Sequence, residues 1–360
     1  MRIELQKRDN PSALFALLSP VFAMALTMIV GAIMFTFLGK NPATALYTYF
    51  VLPLTDAWLL EQIVIKATPL VLIAIGLAVC FRSGNWNIGA EGQYIIGGMF
   101  GAIIPVYFNE WNSLLVLPLV LLMGAIGGAL YAAVPAVLKS RFGTNEILTS
   151  LMLVYVAQQL VDWLVRAPWR NPQGMGFPGT KPFNESAVLP NILERGDAHY
   201  GAVFAVLLAV IFWFVLSRTL KGFEVTVLGE SPRAGRFAGF SAKKMTVFAF
   251  LVSGAMAGLA GIAEVSGSVE KLDDKVSLGY GFTAIIVAFL GRLNPLGIVL
   301  AGLVLALTFI GGEEAQIVLG ISDRATRVFQ GLLLFFVLAS DTLIRYRVKV
   351  VSTKPTVVEA

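Results

Sequence analysis

Long apolar runs recur along this chain, and they limit its possible folds more than any other feature. Most are roughly 18 to 25 residues long, the length of an α-helix that crosses a ~30 Å hydrocarbon core. The weak alternation typical of a membrane β-barrel is absent. With 57% hydrophobic and 14% charged residues, the chain also has too little polar surface for a soluble globular protein. The sequence therefore predicts an all-α, polytopic transmembrane helix bundle, a single domain over residues 1–360.

The bundle is expected to contain about ten helices. An aromatic piece, 47–54, is too short to span and is predicted to lie at the outer interface. Two apolar regions are interrupted by polar residues, at 81–93 and 291–295, and paired interruptions of this kind are typical of repeats around a shared pathway. The predicted spans are 12–38, 62–80, 94–108, 113–138, 147–165, 202–216, 245–266, 282–290, 296–310 and 328–344.

Lysine and arginine are concentrated in three places, and this sets the predicted orientation. Such residues are enriched on the cytoplasmic side, so both termini and the segment 218–244 are expected in the cytoplasm. Within that segment, a short helical run is predicted from Arg233 to Phe240. The segment 167–199 is rich in proline and glycine and is predicted to be an external loop. His199, at its edge, is expected to be a solvated interface residue. The basic residues are Arg2, Lys7 and Arg8, then Arg218, Lys221, Arg233, Arg236, Lys243 and Lys244, then Arg345, Arg347, Lys349 and Lys354.

The interruption at 81–93 carries a density of amide and carboxylate groups that lipid could not satisfy. It must contact protein or water, and broken helices of this composition form substrate sites in transporters. An ordinary polar turn at the cytoplasmic face is the alternative. Amides donate and accept hydrogen bonds, which suits sugar hydroxyls or a nucleobase edge, and Trp86 could stack on a ring or anchor the chain at the interface. The predicted substrate-pathway residues are Asn85, Trp86, Asn87, Glu91, Gln93 and, from the second interruption, Asn294.

Other polar residues within the spans have less specific interpretations. Gln158, Gln159 and Asp162 are candidates for interhelical hydrogen bonding, which is favoured, or for lining the pathway. Lys66 lies one turn inside its span, where the side chain can reach the surface. Glycines in 113–138 and 245–266 are predicted to form small-residue faces for close helix packing.

Motifs that the sequence lacks exclude several functions. No G-x-x-x-x-G-K-[ST] phosphate-binding loop occurs, so ATP is not bound by that mechanism. One histidine and one cysteine are too few for a familiar metal cluster, and no G-x-S-x-G nucleophile turn is present. We therefore expect no enzyme activity and no cofactor. Few carboxylates lie deep in the spans, which weakens ion-coupled transport and indicates a driving force supplied by another chain.

Four motifs occur in order along the chain: Gly84-Asn-Trp-Asn-Ile-Gly-Ala-Glu-Gly-Gln93, Gly143-Thr-Asn-Glu-Ile147, Leu228-Gly-Glu-Ser-Pro-Arg-Ala-Gly-Arg-Phe-Ala-Gly239 and Gly291-Arg-Leu-Asn-Pro-Leu-Gly297. Together they resemble the permease subunits of bacterial ABC importers for nucleosides and simple sugars, in the branched-chain amino acid and ribose permease superfamily. In that family the segment 218–244 resembles the element that couples the permease to a cytoplasmic ATPase. Its usual form is similar to G-E-N-P-x-A-A-x-Y-A-G, from which this chain departs at Ser231, Gly235 and Phe237.

The resemblance implies a multi-pass protein of the bacterial inner membrane that translocates nucleosides or related simple sugars by alternating access. The implied partners are a cytoplasmic ATP-binding subunit that binds the ATP, a second permease subunit (a paralogue or a second copy), an external solute-binding protein or lipoprotein, and membrane lipid, with no nucleic-acid polymer. An ion-coupled secondary transporter of small polar solutes is the alternative, and a structural membrane subunit without a pathway is a second. The residues implied in ATPase coupling are Gly229, Glu230, Ser231, Arg233, Ala234, Arg236 and Gly239.

Overall fold

The computed structural model of the chain describes residues 2–7, 13–193, 196–276, 278–322, 324–325, 327–329, 331–332, 335–336, 339 and 346–351. The described residues form two compact units, one from 1–52 with 311–360 and the other from 53–310. The prediction of a single domain therefore stays a prediction.

The first unit brings the two ends of the described chain together. Strand β1 (Arg2–Lys7) pairs antiparallel with strand β2 (Tyr346–Val351), with Arg2 opposite Val351. This two-stranded ribbon was not predicted from the sequence. The pairing of β1 with β2 agrees with termini that lie on one side of the membrane, while the cytoplasmic assignment stays a prediction.

Helices α1 (Ala13–Phe37) and α2 (Pro42–Phe50) complete the first unit, which is held by an aromatic cluster. The rings of Tyr49 and Phe329 lie 4.9 Å apart, and Phe35 stacks on Phe329 at 6.4 Å. Gly31 makes room for this cluster, because a Cβ there would overlap the Phe329 ring. The predicted first span and the short interfacial piece are thus both helical.

The second unit is built almost entirely from helices. Helices α3 (Leu52–Thr55) and α13 (Pro295–Leu319) run across the boundary in sequence between the two units. The others are α4 (Ala57–Arg82), α5 (Ala90–Tyr107), α6 (Val116–Phe142), α7 (Glu146–Arg166), α8 (Gly201–Arg218), α9 (Leu220–Glu230), α10 (Pro232–Phe237), α11 (Ala242–Glu264) and α12 (Tyr280–Leu290).

Six of the described helices are long and apolar enough to cross a membrane: α4, α6, α7, α8, α11 with its extension to Val269, and α13. The chain leaves the helix between Arg82 and Ala90, and again between Leu290 and Pro295, at the two predicted interruptions. The predicted span 328–344 lies largely outside the described residues. Helix α13 continues to Leu319, beyond the end of the predicted span 296–310, and therefore includes Glu313 and Glu314.

Helix α4 forms the centre of the second unit and is buried along most of its length, as expected for a helix that is apolar all round. Beside it, helices α5, α6 and α11 pack against one another through glycines. A Cβ at Gly97 would overlap the backbone of Gly258, and a Cβ at Gly128 would overlap the carbonyl oxygen of Gly254. The predicted small-residue faces are therefore real contacts between helix backbones.

Two connecting segments differ from simple loops. The segment 167–199 lacks α-helix in its described part, 167–193 and 196–199. Its backbone forms hydrogen bonds with the chain that follows α11: Thr180 N donates to Leu272 O (2.8 Å) and Leu189 N donates to Ser266 O (2.9 Å). That partner region begins with a π-helical turn, Val265–Val269. At the other end of α8, the predicted loop 218–244 contains helix α9, which was not predicted from the sequence.

Candidate functional site

The chain between α4 and α5 folds into a buried network of amide groups. Asn87 Nδ2 donates to Gln93 Oε1 (2.8 Å), and Gln93 Nε2 donates back to Asn87 Oδ1 (3.0 Å). Asn87 Nδ2 also donates to Ser253 Oγ on α11 (3.0 Å). Both amides are almost completely buried. The pair therefore fixes the unwound segment against the first turn of α5 and against α11.

A second network starts at Asn85. Its Oδ1 accepts hydrogen bonds from Lys139 Nζ (2.9 Å) and from Thr246 Oγ1 (2.9 Å). Lys139 also forms a 2.5 Å ion pair with Glu146, whose carboxylate accepts the backbone N–H of Trp86 (3.4 Å). The ends of α6, α7 and α11 are thereby tied to the interrupted segment.

Glu91 has a different partner from the other predicted pathway residues. Its two carboxylate oxygens accept the backbone N–H groups of Gly279 (2.9 Å) and Gly281 (2.6 Å). These groups lie at the start of α12, where unsatisfied N–H donors and the helix dipole favour a negative charge. The buried carboxylate thus joins α5 to the N-terminus of α12.

Trp86 and Asn294 are the exposed members of the predicted set. Trp86 is 45% exposed, and its ring contacts Phe81 (5.2 Å) and Phe289 (6.1 Å). Asn294 Oδ1 accepts the backbone N–H of Leu296 (3.2 Å) and begins α13. Asn85 and Trp86 thus meet in one network, Asn87 and Gln93 in another, while Glu91 and Asn294 each hold the start of a helix.

The residues that complete these networks were not predicted from the sequence: Lys139, Glu146, Thr246 and Ser253. Lys139 and Glu146 carry opposite charges on the two sides of Gly143, whose positive φ of 68° ends α6. That arrangement is a detectable signal for a turn closed by an ion pair. Ser253 and Thr246 gave no local signal, because their partners lie more than 160 positions away: the separations are 166 for Asn87 and 161 for Asn85.

The coupling segment forms a helix–turn–helix. Ser231 accepts the N–H of Ala234 through its Oγ (3.4 Å) and so caps α10, where the sequence predicted a helix from 233 to 240. Gly235 is buried against Leu228, and Gly239 has φ of 84° in the turn before α11. The remaining predicted coupling residues of α10, Arg233, Ala234 and Arg236, are exposed together with Glu230, and Phe237 is 96% exposed.

The coupling segment contacts the end of α4, where the interrupted segment begins, through Gly229. Gly229, half-buried near the end of α9, packs directly on the carbonyl oxygen of Arg82 and on Ser83. The Glu230 carboxylate also acts electrostatically on the Arg82 guanidinium. A single contact, that of Gly229 with Arg82, therefore connects the segment that carries the exposed helix α10 to the unwound chain that carries Asn85 and Asn87.

Polar residues also meet at the other end of α11, where the sequence analysis expected few. Glu264 is buried, and its carboxylate accepts a hydrogen bond from Ser268 Oγ (3.4 Å). Ser268 Oγ is also 3.4 Å from His199 Nε2, and Lys66 lies over the Tyr280 ring at 5.8 Å. His199 is buried, contrary to the expected solvated position, because its ring lies against Gly267 of the π-helical turn, which Leu189 also contacts. Burial lowers the pKa of His199 to about 4.

The sequence model of the family described as "Branched-chain amino acid transport system / permease component" matches residues 59–338. The glucose ABC transporter permease protein TsgB13 of Haloferax volcanii is 35% identical, covering 97% of this chain and 94% of the relative. The guanosine ABC transporter permease protein NupP of Bacillus subtilis is 30% identical over 92% and 95% of the two chains. The nucleoside ABC transporter permease protein NupB of Lactococcus lactis is 27% identical over 89% and 90%.

Proposed function

The chain belongs to the permease components of the branched-chain amino acid transport family, within the ABC transporters, and we propose that it translocates nucleosides or related simple sugars by alternating access. It is an integral, multi-pass membrane protein that works with an ATP-binding subunit. The ion-coupled alternative has no support from this family, whose members draw on ATP. The names of these relatives mention glucose, guanosine and nucleosides, all of which are sugars or carry one. That shared chemistry supports a hydroxylated, sugar-containing solute.

The finer partners belong to the same proposal. A second permease subunit, either a paralogue or a second copy, would complete the pathway. An external solute-binding protein or lipoprotein would deliver the solute to the side formed by 167–199. Helix α10 and its flanking glycines would dock into the cytoplasmic ATPase, with Gly229, Glu230, Ser231, Arg233, Ala234, Arg236 and Gly239 at or beside the contact.

The observation that carries this proposal is the continuity from α10 through Gly229 to Arg82. Helix α10 exposes a large aromatic side chain, Phe237, that no described residue covers, and aromatic and arginine side chains are common anchors at protein interfaces. Packed helices move as rigid bodies, so a shift of α9 and α10 on closure of the ATPase would displace the carbonyl end of α4. That end leads directly into the unwound segment.

Contact between solute and the segment 81–93 stays a prediction, and it requires a rearrangement. In the described conformation the side-chain amides of Asn87 and Gln93 form hydrogen bonds with each other. Asn85 Oδ1 already accepts hydrogen bonds from Lys139 and Thr246. Trp86 exposes its ring without any such change. We propose that movement of the coupling segment opens these bonds during the transport cycle.

The test is ATP-dependent uptake of labelled nucleosides and sugars by the chain assembled with its ATPase and co-permease, with and without Ala234→Glu. Ala234 is exposed on α10, so a glutamate there should leave the fold intact while blocking the docking surface. The matched control is Ala167→Glu, an equally exposed alanine where the external segment begins.

We expect Ala234→Glu to abolish uptake and to release the ATPase during purification, while Ala167→Glu behaves as the native chain. Uptake that follows an ion gradient and ignores Ala234→Glu would overturn the proposal. Uptake lost equally in both variants would remove the specific role of α10.

A further inference from the structure

Helices α7 and α8 are the least covered of the spanning helices. In each, only 22% of the apolar window is buried within the chain. The exposed residues of α8 between 203 and 214 are all valine, leucine, isoleucine or phenylalanine, such as Phe204, Leu207 and Ile211. Such a surface suits lipid. It gives an internal reference for what a lipid-facing helix of this protein looks like.

The exposed face of α7 has a different chemistry. Tyr155, Gln159 and Trp163 are all exposed and are spaced by four residues, which places them on one face about 6 Å apart along the axis. We call these three residues the α7 stripe. An amide exposed to hydrocarbon leaves its donors and acceptors unsatisfied, and polar side chains in spans therefore face protein or a wet cavity.

Tyr155 strengthens the contrast with α8. Tyrosines exposed to lipid collect at the two membrane interfaces, where the hydroxyl can reach water. Tyr155 lies near the middle of α7, and its side chain is exposed all the same. Trp163, near the outer end, could belong to an interfacial belt, so the inference depends on Tyr155 and Gln159.

The α7 stripe lines a shallow groove of about 480 Å³, together with Val156 and Leu160. An apolar lining with a few placed polar groups is typical of small-molecule sites. Aromatic faces can stack on a nucleobase or on the C–H face of a sugar ring. The Gln159 amide can donate to and accept from hydroxyls.

We propose that the α7 stripe is a solute-binding surface of the translocation pathway, which takes the sugar ring or base of the transported molecule. This inference rests on the proposed function and names the residues that meet its solute. It differs from the predicted contacts at 81–93, because the stripe is accessible in the described conformation and those amides are bonded internally.

The test uses cysteine labelling in the assembled complex. Cys80, the single native cysteine, is buried and should stay unreactive. We would place a cysteine by Gln159→Cys on α7 and, as the matched control, by Phe214→Cys on the exposed apolar face of α8. Both would be treated with a water-soluble maleimide, with and without guanosine or glucose.

We expect the cysteine at 159 to react, and the solute that is transported to protect it, while the cysteine at 214 stays unlabelled in lipid. Absence of reaction at 159 would place the stripe against lipid or a partner subunit, and reaction that neither solute reduces would show a wet surface that does not bind the solute. Either result overturns the inference.

Transport kinetics give a second readout. Gln159→Leu should raise the KM for uptake by about tenfold, equivalent to ~1.4 kcal/mol of binding, with little change in the amount of assembled complex. Phe214→Leu should leave the KM unchanged, and equal effects of the two would contradict the inference. Uptake by the native complex in the same preparation separates the proposed function from the inference about the α7 stripe. If the native complex transports solute but the expected effects at 159 are absent, only the inference about the stripe fails. If the native complex transports neither solute, both fail.

Discussion

Gly229 packs against the carbonyl oxygen of Arg82, and only a residue without a Cβ can occupy this position in the described conformation. The contact joins the end of α9 to the end of α4. It links the exposed coupling helix to the unwound segment by backbone atoms alone, which cannot rotate away as side chains do. Two segments that are far apart in sequence, and for which separate functions are proposed, therefore share one contact.

The first prediction concerns this contact. Gly229→Ala places a methyl group onto the Arg82 carbonyl and should displace the coupling segment, at a cost of about 1–3 kcal/mol for overpacking. We expect ATP-dependent uptake to fall sharply while the protein still reaches the membrane. Gly331→Ala is the control, since no atom of the described residues lies within 4 Å of a Cβ there. Normal uptake by Gly229→Ala would show that the contact transmits nothing.

The second prediction separates docking from stability. Phe237 is 96% exposed, so Phe237→Ala should change the stability of the isolated permease by less than about 0.5 kcal/mol. As an interface anchor, the same side chain should contribute about 2 kcal/mol or more to binding of the ATPase. Co-purification of the ATPase and the thermal melting of the permease measure the two effects. Leu220→Ala, at a residue 71% exposed on α9, is the comparison, and equal retention of the ATPase by both variants would argue against the anchor.

The third prediction concerns the paired amides. Gln93→Leu leaves the buried Asn87 amide without two of its hydrogen bonds, which should destabilise the permease by about 1–3 kcal/mol. The melting temperature in detergent should fall clearly. Gln62→Leu, which removes a 3.3 Å hydrogen bond to Asp197 at an exposed site, should change it little. A Gln93→Leu protein with native melting but a raised KM would instead favour direct contact with the solute.

The fourth prediction is a pH dependence of stability. In the folded protein the pKa of His199 is about 4, whereas in the unfolded chain it returns to about 6.5, so between these values the unfolded state binds more protons. Stability should therefore be complete above about pH 6.5 and decline as the pH falls towards 4. Melting curves of the native protein and of His199→Asn over this range isolate the contribution, because the carboxylates titrate in both. Parallel curves for the two proteins would contradict the burial of a neutral histidine.

Much of the candidate site could be predicted because its signals are local. The interruption at 81–93 was visible as polar residues between two apolar runs, and α10 as a short helical stretch after Ser231. The partners of those polar residues were not visible. Asn87 finds Ser253 across 166 positions, and the sequence around Ser253 looks like any other apolar span. The burial of Glu264 and His199 was missed for the same reason. Their burial depends on contacts between distant segments, such as that of Leu189 with Ser266.

The sequence by itself determined the class of protein, the positions of most helices and the place of the coupling segment. A bilayer acts on each segment separately through its length and apolarity, so these properties can be read along the chain. Tertiary structure decided which polar atoms satisfy each other, which glycine meets which backbone, and which face of α7 is left uncovered. Those outcomes depend on how each helix is rotated and packed against its neighbours. That rotation is set by close contacts between glycines on different helices, such as Gly97 and Gly258, which no single segment contains.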